Sequence, residues 1–259
     1  MRLLRKEGAG VAGKFNLKNN GRLYVKKAAI FILIIAGCFV LFITPLCRLT
    51  GRRLPQDKFF RGVAWFRFDK KNSLQGWEEK IFKGRVIYSV ISDRSGSHLN
   101  AYSKKSASGI IRWLKFNPQK EPYVSWKWKV VKFPDKTNVM PEDSSWMERD
   151  DYAARFYIIF PRFPFFRAQC LEYIWARDLP LGTVLTNPTF RNLKVIVVES
   201  GEANLGKWVS VERNVYDDFR KHFDSSVGSA GAIAIMTDSD NSASVAEAQY
   251  NDIEVGYEK

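Results

Sequence analysis

The chain has 259 residues and a formal net charge of +14. Residues 1–61 hold 13 Lys or Arg against Glu7 and Asp57, whereas the remaining residues have a net charge of only +3. A nucleic-acid-binding domain needs a basic face of its own, so this distribution argues against nucleic acid as a partner.

The first 61 residues predict a membrane anchor. Residues 1–27 are basic and polar, and we expect a disordered cytoplasmic tail. Residues 28–46 (AAIFILIIAGCFVLFITPL) carry no charge and are just long enough for a single transmembrane helix. The longer basic stretch precedes this span, so the positive-inside rule predicts an inner-membrane protein whose C-terminal domain lies outside, in the periplasm of a Gram-negative cell. Residues 47–61 form a basic juxtamembrane stem, and residues 62–259 form the exoplasmic domain.

An alternative for the apolar segment is a lipoprotein signal, because small residues precede Cys38. Against it, residues 39–43 stay hydrophobic, and no A-x-A site favours a cleavable signal peptide. Cys38 and Cys47 lie in or beside the predicted span, which leaves Cys170 alone in the domain. A disulfide framework and a Cys-x-x-Cys zinc site are therefore excluded within the domain.

The domain reads as a succession of strands separated by turn signals. In residues 123–130, Val124, Trp126, Trp128 and Val130 alternate with polar side chains, which is typical of a strand with one buried face. Largely apolar runs at 193–198 and 230–236 predict central strands covered on both sides. One short helix is predicted at 216–223. Together these patterns predict a mainly β fold, an antiparallel, jelly-roll-like β-sandwich. The predicted strands are 63–68, 85–92, 98–103, 108–116, 122–131, 151–160, 171–176, 192–199, 207–213, 230–237 and 244–257.

Residues 149–157 (RDDYAARFY) contain the first candidate site. If a strand begins at Asp151, then Asp151 and Arg155 share a face and Asp150 points the other way. The pair is either a surface ion pair of little energetic value or part of a polar ligand site.

Acids at alternate positions in residues 236–241 (MTDSDN) resemble the start of a calcium loop. Asp238, Asp240 and Asn241 are the candidate ligands of a structural calcium ion. The glycine and distal glutamate of an EF-hand are missing, and the alternative is a turn between two strands.

Most tryptophans in a β-sandwich pack in its core, but exposed ones can bind sugar rings. We expect Trp146 or Trp175 to be exposed near the acidic residues and to contact a ligand. Classical catalytic motifs are absent from the sequence, which has no G-x-S-x-G elbow and no H-E-x-x-H pair. No catalytic residue is therefore assigned, although two acids distant in sequence could still form a carboxylate pair.

Seven stretches of the domain together carry a family resemblance, namely residues 106–109, 124–130, 150–155, 172–176, 208–215, 235–241 and 251–253. They resemble the bacterial family DUF3047, a domain of unknown function. The resemblance covers about residues 75–255 and implies a β-sandwich in the cell envelope, with no activity attached to any residue. A weaker, fold-level similarity is to galactose-binding-type jelly rolls. The chain departs from the family in its basic N-terminus and in residues 161–166.

The leading hypothesis is a membrane-anchored, non-catalytic module that binds an envelope polysaccharide or glycolipid. One alternative is a scaffold that binds another envelope protein through a sheet edge or an aromatic patch. That scaffold would show a large exposed apolar patch and no concave polar pocket. Another alternative is a glycosidase or lyase with paired carboxylates in a groove.

Overall fold

A computed structural model describes residues 63–94, 96–137, 150–187 and 190–257. These residues form thirteen strands, one α-helix and two 3-10 turns, at Lys71–Leu74 and Phe165–Arg167. The elements are β1 (Ala64–Phe66), β2 (Trp77–Lys83), β3 (Ile87–Asp93), β4 (Gly96–Lys104), β5 (Ala107–Phe116), β6 (Tyr123–Lys132), β7 (Ala154–Phe160), β8 (Gln169–Ala176), β9 (Val184–Thr186), β10 (Leu193–Ser200), β11 (Val209–Asn214), α1 (Val215–His222), β12 (Ala230–Asp238) and β13 (Val245–Tyr257).

The strands form two sheets. The first sheet has the order β11-β6-β13-β4-β3, with β1 paired to the second half of β13. The second sheet has the order β2-β5-β12-β7-β8-β10-β9. The predicted β-sandwich is confirmed, but the expectation of a wholly antiparallel one is wrong because β8 and β10 pair in parallel. The chain places the short edge strand β9 between them in sequence, so β10 returns alongside β8 in the same direction.

Large aromatic side chains fill the space between the two sheets. Trp126 of β6 stacks on Phe156 of β7 with ring centroids 4.3 Å apart, and its ring lies 5.4 Å from that of Tyr173. The predicted inward face of β6 is confirmed, since Val124, Trp126, Trp128 and Val130 are all buried.

A second apolar cluster lies on the other face of the second sheet. It includes Ile111, Tyr157, Ile174, Val195 and Ala234. Strands β7, β8, β10 and β12 therefore have apolar contacts on both faces, as the apolar runs at 193–198 and 230–236 predict for β10 and β12.

Helix α1 begins at Val215, one residue before the predicted start, and Asn214 caps it by accepting a hydrogen bond from the Asp217 backbone N–H at 3.0 Å. Two short or charged edge elements, β2 and β9, were not predicted. Strand β7 begins at Ala154 rather than at Asp151, which changes the expected geometry of the first candidate site.

The predicted tail, transmembrane span and stem (1–27, 28–46 and 47–61) lie outside the described residues, as do Cys38 and Trp146. Within the part of the chain that the structure describes, no helix has the length and apolarity needed to cross a bilayer.

Candidate functional site

A buried carboxylate–arginine cluster lies at one end of the second sheet. Its centre is Arg155 of β7, whose neighbours β8 and β12 supply Glu172 and Asp238. The guanidinium lies 3.1 Å from Glu172 through Nη1, and Nη2 lies 3.0 Å from Asp150 and 3.2 Å from Asp238. Arg155, Glu172 and Asp238 are almost completely buried. One buried cation thus contacts carboxylates from three segments.

The expected pairing of Asp151 with Arg155 is wrong. Strand β7 starts three residues after Asp151, so strand alternation does not apply there, and Asp150 pairs with Arg155 instead. Asp151 accepts hydrogen bonds from the backbone N–H groups of Asn241 and Ser242 at 3.2 and 2.7 Å, and from the Ser242 hydroxyl at 2.6 Å. Asp151 therefore holds the loop that follows β12 against the start of β7.

Burial disfavours the charged form of the acids in this cluster. It raises the pKa of Glu172 to about 7 and the pKa of Asp238 well above its ordinary value, although the Arg155 guanidinium opposes both shifts. The pKa of Asp150 is raised for the same reason. Burial also lowers the pKa of the nearby Lys136. The cluster therefore exchanges protons at a higher pH than exposed carboxylates do.

Asp238 of the cluster and two neighbouring carboxylates could together hold a metal ion. Oxygen atoms of Asp151, Asp238 and Asp240 all lie within 4.8 Å of one another, and all three residues are buried. Clustered carboxylate oxygens suit calcium. Asp238 also contacts Arg155, and Asp240 lies 3.6 Å from the Lys83 ammonium, so protein cations already share these oxygens. A calcium ion at this loop stays a prediction. The structure adds Asp151 to the predicted ligands Asp238, Asp240 and Asn241.

Of the two tryptophans expected to be exposed near the acidic residues, Trp175 is not exposed, and Trp146 lies outside the described residues. The Trp175 side chain is fully buried, and its indole Nε1 donates a hydrogen bond to the Gly201 carbonyl at 3.0 Å. Trp175 lies on β8 between the two sheets, where a large aromatic side chain packs best. The cavity beside it, lined by Lys136, Asp151 and Tyr152 among others, has a volume of about 10 Å³. That is room for one water molecule and not for a sugar ring.

An open groove lies instead on the outer face of the first sheet. It has a volume of about 350 Å³, and we call it the outer-face groove. One aromatic side chain, one apolar side chain, two hydroxyls and several charged groups line it, together with part of the core residue Trp126. The lining side chains are Trp65, Arg67, Ser125, Lys127, Ser210, Val211, Glu212, Asp252 and Glu254.

Strand register aligns four of these residues in one row. Glu212 of β11 lies opposite Ser125 of β6, and Ser125 lies opposite Glu254 of β13. Glu254 in turn lies opposite Trp65 of β1. Directly paired residues in a sheet project to the same side. The row therefore presents two carboxylates, a hydroxyl and an indole to the same groove.

The charges along the groove are arranged in contact pairs. Asp252 accepts a hydrogen bond from the Lys127 ammonium at 2.8 Å and lies 3.6 Å from the Arg67 guanidinium. That guanidinium stacks 3.5 Å above the Trp65 ring. Partial burial raises the pKa of Glu254, and the neighbouring Asp252 adds to the shift. These contacts fix the orientation of Trp65 and Asp252 beside the groove.

The outer face continues beyond the groove to a second tryptophan. Lys129 lies four residues after Ser125 on β6 and is paired with Gln249 of β13. The Lys129 ammonium lies 5.1 Å from the Trp208 ring, and the His98 ring meets the same indole edge-on at 5.3 Å. Four residues of strand span about 13 Å. Trp65 and Trp208 thus mark two ends of one polar face.

Part of the outer face of the first sheet was predictable from the sequence. The alternation in β6 predicts that Ser125, Lys127 and Lys129 point away from the core, and they do. The pairing of Trp65 with Glu254 was missed because it depends on the register between the first and last strands of the domain.

Solved structures of similar architecture include proteins that act on or bind polysaccharides. A family 11 carbohydrate-binding module from Clostridium thermocellum, in complex with a β-1,3-1,4-mixed-linked tetrasaccharide, has 12% identity and a TM-score of 0.37, with 74% of this chain and 95% of that chain covered. A family 30 carbohydrate-binding module of a C. thermocellum cellulosomal cellulase has 9% identity and a TM-score of 0.40, covering 74% and 97%. The xyloglucanase domain of NopAA from Sinorhizobium fredii has 8% identity and a TM-score of 0.40, covering 71% and 93%.

At these identities and TM-scores, the likenesses assign no function to this chain. No curated protein matches it. Residues 75–254 match a protein family described as "Protein of unknown function (DUF3047)". That match spans more than half of the chain, and the protein therefore belongs to the DUF3047 family.

Proposed function

We propose that this protein is a non-catalytic carbohydrate-binding module of the cell envelope, and that its ligand is a polysaccharide or glycolipid bound in the outer-face groove. In this proposal residues 28–46 anchor it in the inner membrane and the β-sandwich lies in the periplasm or outside the cell. The observation that carries the binding role is the row Glu212–Ser125–Glu254–Trp65.

Each member of that row suits a different part of a sugar. An indole packs against the apolar face of a pyranose ring, and carboxylates accept hydrogen bonds from hydroxyl groups. Binding sites in proteins are concave and combine an apolar surface with a few converging polar groups. The continuation of the face towards Trp208 gives space for several sugar units and therefore supports a chain rather than a monosaccharide.

The buried carboxylate–arginine cluster has a different role in this proposal. Arg155 and Asp151 are buried and bonded to other parts of the protein, so they support the fold instead of contacting the glycan. If calcium is bound there, Asp151, Asp238 and Asp240 would hold it, and its role would be structural.

A second candidate function is glycoside hydrolysis, favoured by one observation. Glu212 and Glu254 lie on the two strands that flank Ser125. Two strand spacings separate their backbones, which is a distance of about 9–10 Å. Inverting glycosidases separate their two carboxyl groups by about 6.5–9.5 Å. The scaffold alternative predicted that the domain has no concave polar pocket. The outer-face groove is a concave polar pocket, so this alternative is less favoured.

Affinity electrophoresis of the full-length protein through gels containing β-glucan, xyloglucan, mannan or bacterial envelope polysaccharides tests the proposal. We expect one class of polysaccharide to retard the protein, and the Trp65→Ala variant to migrate freely. Trp113→Ala, which removes a partly buried tryptophan from the second sheet, is the matched control. The appearance of new reducing ends with the retarding polysaccharide would favour hydrolysis, and no retardation by any of them would contradict the proposal.

A further inference from the structure

Three phenylalanines protrude from the loop between β7 and β8. The exposed fractions of Phe163, Phe165 and Phe166 are 85%, 41% and 56%. The rings of Phe165 and Phe166 touch edge-to-face with centroids 6.2 Å apart. Clustered exposed aromatic side chains on a folded domain mark an interaction surface.

The base of this loop is fixed by polar contacts. Arg162 donates a hydrogen bond through Nε to Gln169 at 2.5 Å, and through Nη2 to the Ser226 carbonyl. The Arg167 backbone N–H donates to the Pro164 carbonyl at 2.9 Å. The rings are therefore presented by an ordered loop that is bonded to the segment after α1.

Basic residues lie on the aromatic loop and on the elements beside it. Arg167 belongs to the loop, and the last turn of α1 contributes Arg220 and Lys221. Helix α1 packs beside the loop, because its Phe219 lies 4.7 Å from Phe160 and the Arg162 guanidinium lies 5.9 Å from the Phe219 ring.

The start of β10 adds further cations at the same end. The Lys194 ammonium lies 5.9 Å from the Phe223 ring, just after α1. Arg191 precedes β10 and is exposed, and its neighbour Asn192 accepts a hydrogen bond from the Cys170 backbone N–H at 2.8 Å. We call this surface, formed by loop 161–168 and the cations Arg167, Arg191, Lys194, Arg220 and Lys221, the aromatic–basic end.

The chain enters the domain at this same end. Val63 lies against Gly256. It also lies near Glu121, which belongs to the turn that precedes β6. From that turn, Gln119 donates a hydrogen bond to the Val227 carbonyl at 3.3 Å, next to the Ser226 carbonyl that Arg162 contacts. Residues 1–62, which include the predicted span, therefore join the domain on the side where the phenylalanines protrude.

We propose that the aromatic–basic end docks on an anionic lipid bilayer. The phenylalanine rings enter the boundary between headgroups and acyl chains, and the surrounding arginines and lysines bind lipid phosphates. The position of Val63 favours a bilayer over a soluble protein partner, since an anchor ending at residue 46 would hold this end close to the membrane. The inference rests on the membrane anchor of the proposed function, but it depends on neither the outer-face groove nor its ligand.

Fluorescence of a polarity-sensitive probe in the full-length protein tests this docking. The probe is attached at Phe163→Cys in a chain that also carries Cys38→Ser and Cys47→Ser, because the remaining Cys170 is fully buried and its thiol pKa is raised by burial. Phe163 is so exposed that its replacement leaves the core intact. Leu181→Cys is the matched control, because Leu181 is also apolar and exposed but follows the opposite end of β8.

With vesicles of phosphatidylcholine and phosphatidylglycerol, we expect the probe at position 163 to shift to the blue and to become protected from iodide, while position 181 stays accessible. High salt or pure phosphatidylcholine should weaken the protection at 163. Equal accessibility of the two positions would overturn the proposal. Protection that is as strong without anionic lipid, or that requires added membrane proteins, would overturn it as well.

Discussion

Trp65 of β1 and Glu254 of β13 are direct cross-strand partners on the outer face of the first sheet, although they come from the two ends of the domain sequence. The groove that they line therefore exists only when β1 has paired with the end of β13. Glu254 lies between Trp65 and Ser125 in the same row, so it is placed to accept a hydrogen bond from a sugar that packs on the indole.

Replacing Glu254 by glutamine should weaken glycan binding by about ten- to a hundredfold, since a hydrogen bond to a charged group is worth about 1.5–3 kcal/mol. Titration calorimetry with the retarding polysaccharide measures the loss. Glu78→Gln, an exposed acid on the edge strand of the second sheet, is the control and should bind as the unmodified protein does. Unchanged affinity in Glu254→Gln would show that this carboxylate does not contact the ligand.

Arg155→Met should destabilise the protein by about 3–5 kcal/mol, because it leaves Glu172 and Asp238 buried without their cation. Urea unfolding followed by tryptophan fluorescence measures the change. Arg85→Met breaks an exposed ion pair with Glu79 at 2.9 Å and should cost less than about 1 kcal/mol. Similar losses in the two variants would show that the buried cluster contributes no more than a surface pair.

The free energy of unfolding should fall as the pH rises from about 4.5 to about 7. Burial raises the pKa of Glu172 from 4.5 to about 7, so in this range the folded protein holds a proton that the unfolded chain has released. The stabilisation from this group is complete below pH 4.5 and is lost above pH 7. Burial shifts the pKa of Asp150 and Asp238 in the same direction.

Urea titrations at several pH values, on the unmodified protein and on Glu172→Gln, isolate this contribution. The difference in unfolding free energy between the two should depend on pH within that window and should be constant above it. A difference that is constant throughout would mean that Glu172 keeps an ordinary pKa in the folded protein.

Calcium should stabilise the protein, and more strongly at pH 8 than at pH 5, because burial raises the pKa of Asp238 and protons then compete with calcium for that carboxylate. A ligand that binds only the folded state adds about 2.7 kcal/mol at a hundredfold excess over its dissociation constant. Thermal unfolding with calcium and with EDTA measures the effect. Asp240→Asn should reduce it, and equal melting temperatures in calcium and EDTA would contradict a calcium site.

The elements with a strong local signal were predictable from the sequence. The alternation in β6 and the apolar runs of β10 and β12 identify those strands and their buried faces. Strand β2 (WEEKIFK) was missed because it is a charged edge strand with little apolar contrast. The parallel pairing of β8 with β10 was also missed, since strands that are covered on both faces carry no alternation that shows their relative direction.

The candidate sites depend more strongly on long-range packing. The sequence identified Asp151, Arg155 and Asp238, and the structure brings these residues to one end of the second sheet. Their contacts could not be predicted, because the pairing of Arg155 with Asp150 follows from a strand that starts three residues later than expected. The outer-face groove depends on register across four strands, which no local pattern records.

The affinity of the full-length protein for the retarding polysaccharide, compared with the affinities of Trp65→Ala and Trp113→Ala, tests the central claim most directly. Losing the stacking surface should weaken binding by at least about tenfold, since one well-placed aromatic contact is worth about 0.5–1.5 kcal/mol beyond the burial of its area. We predict that loss for Trp65→Ala and unchanged affinity for Trp113→Ala. Equal affinity of all three proteins would contradict a binding site in the outer-face groove.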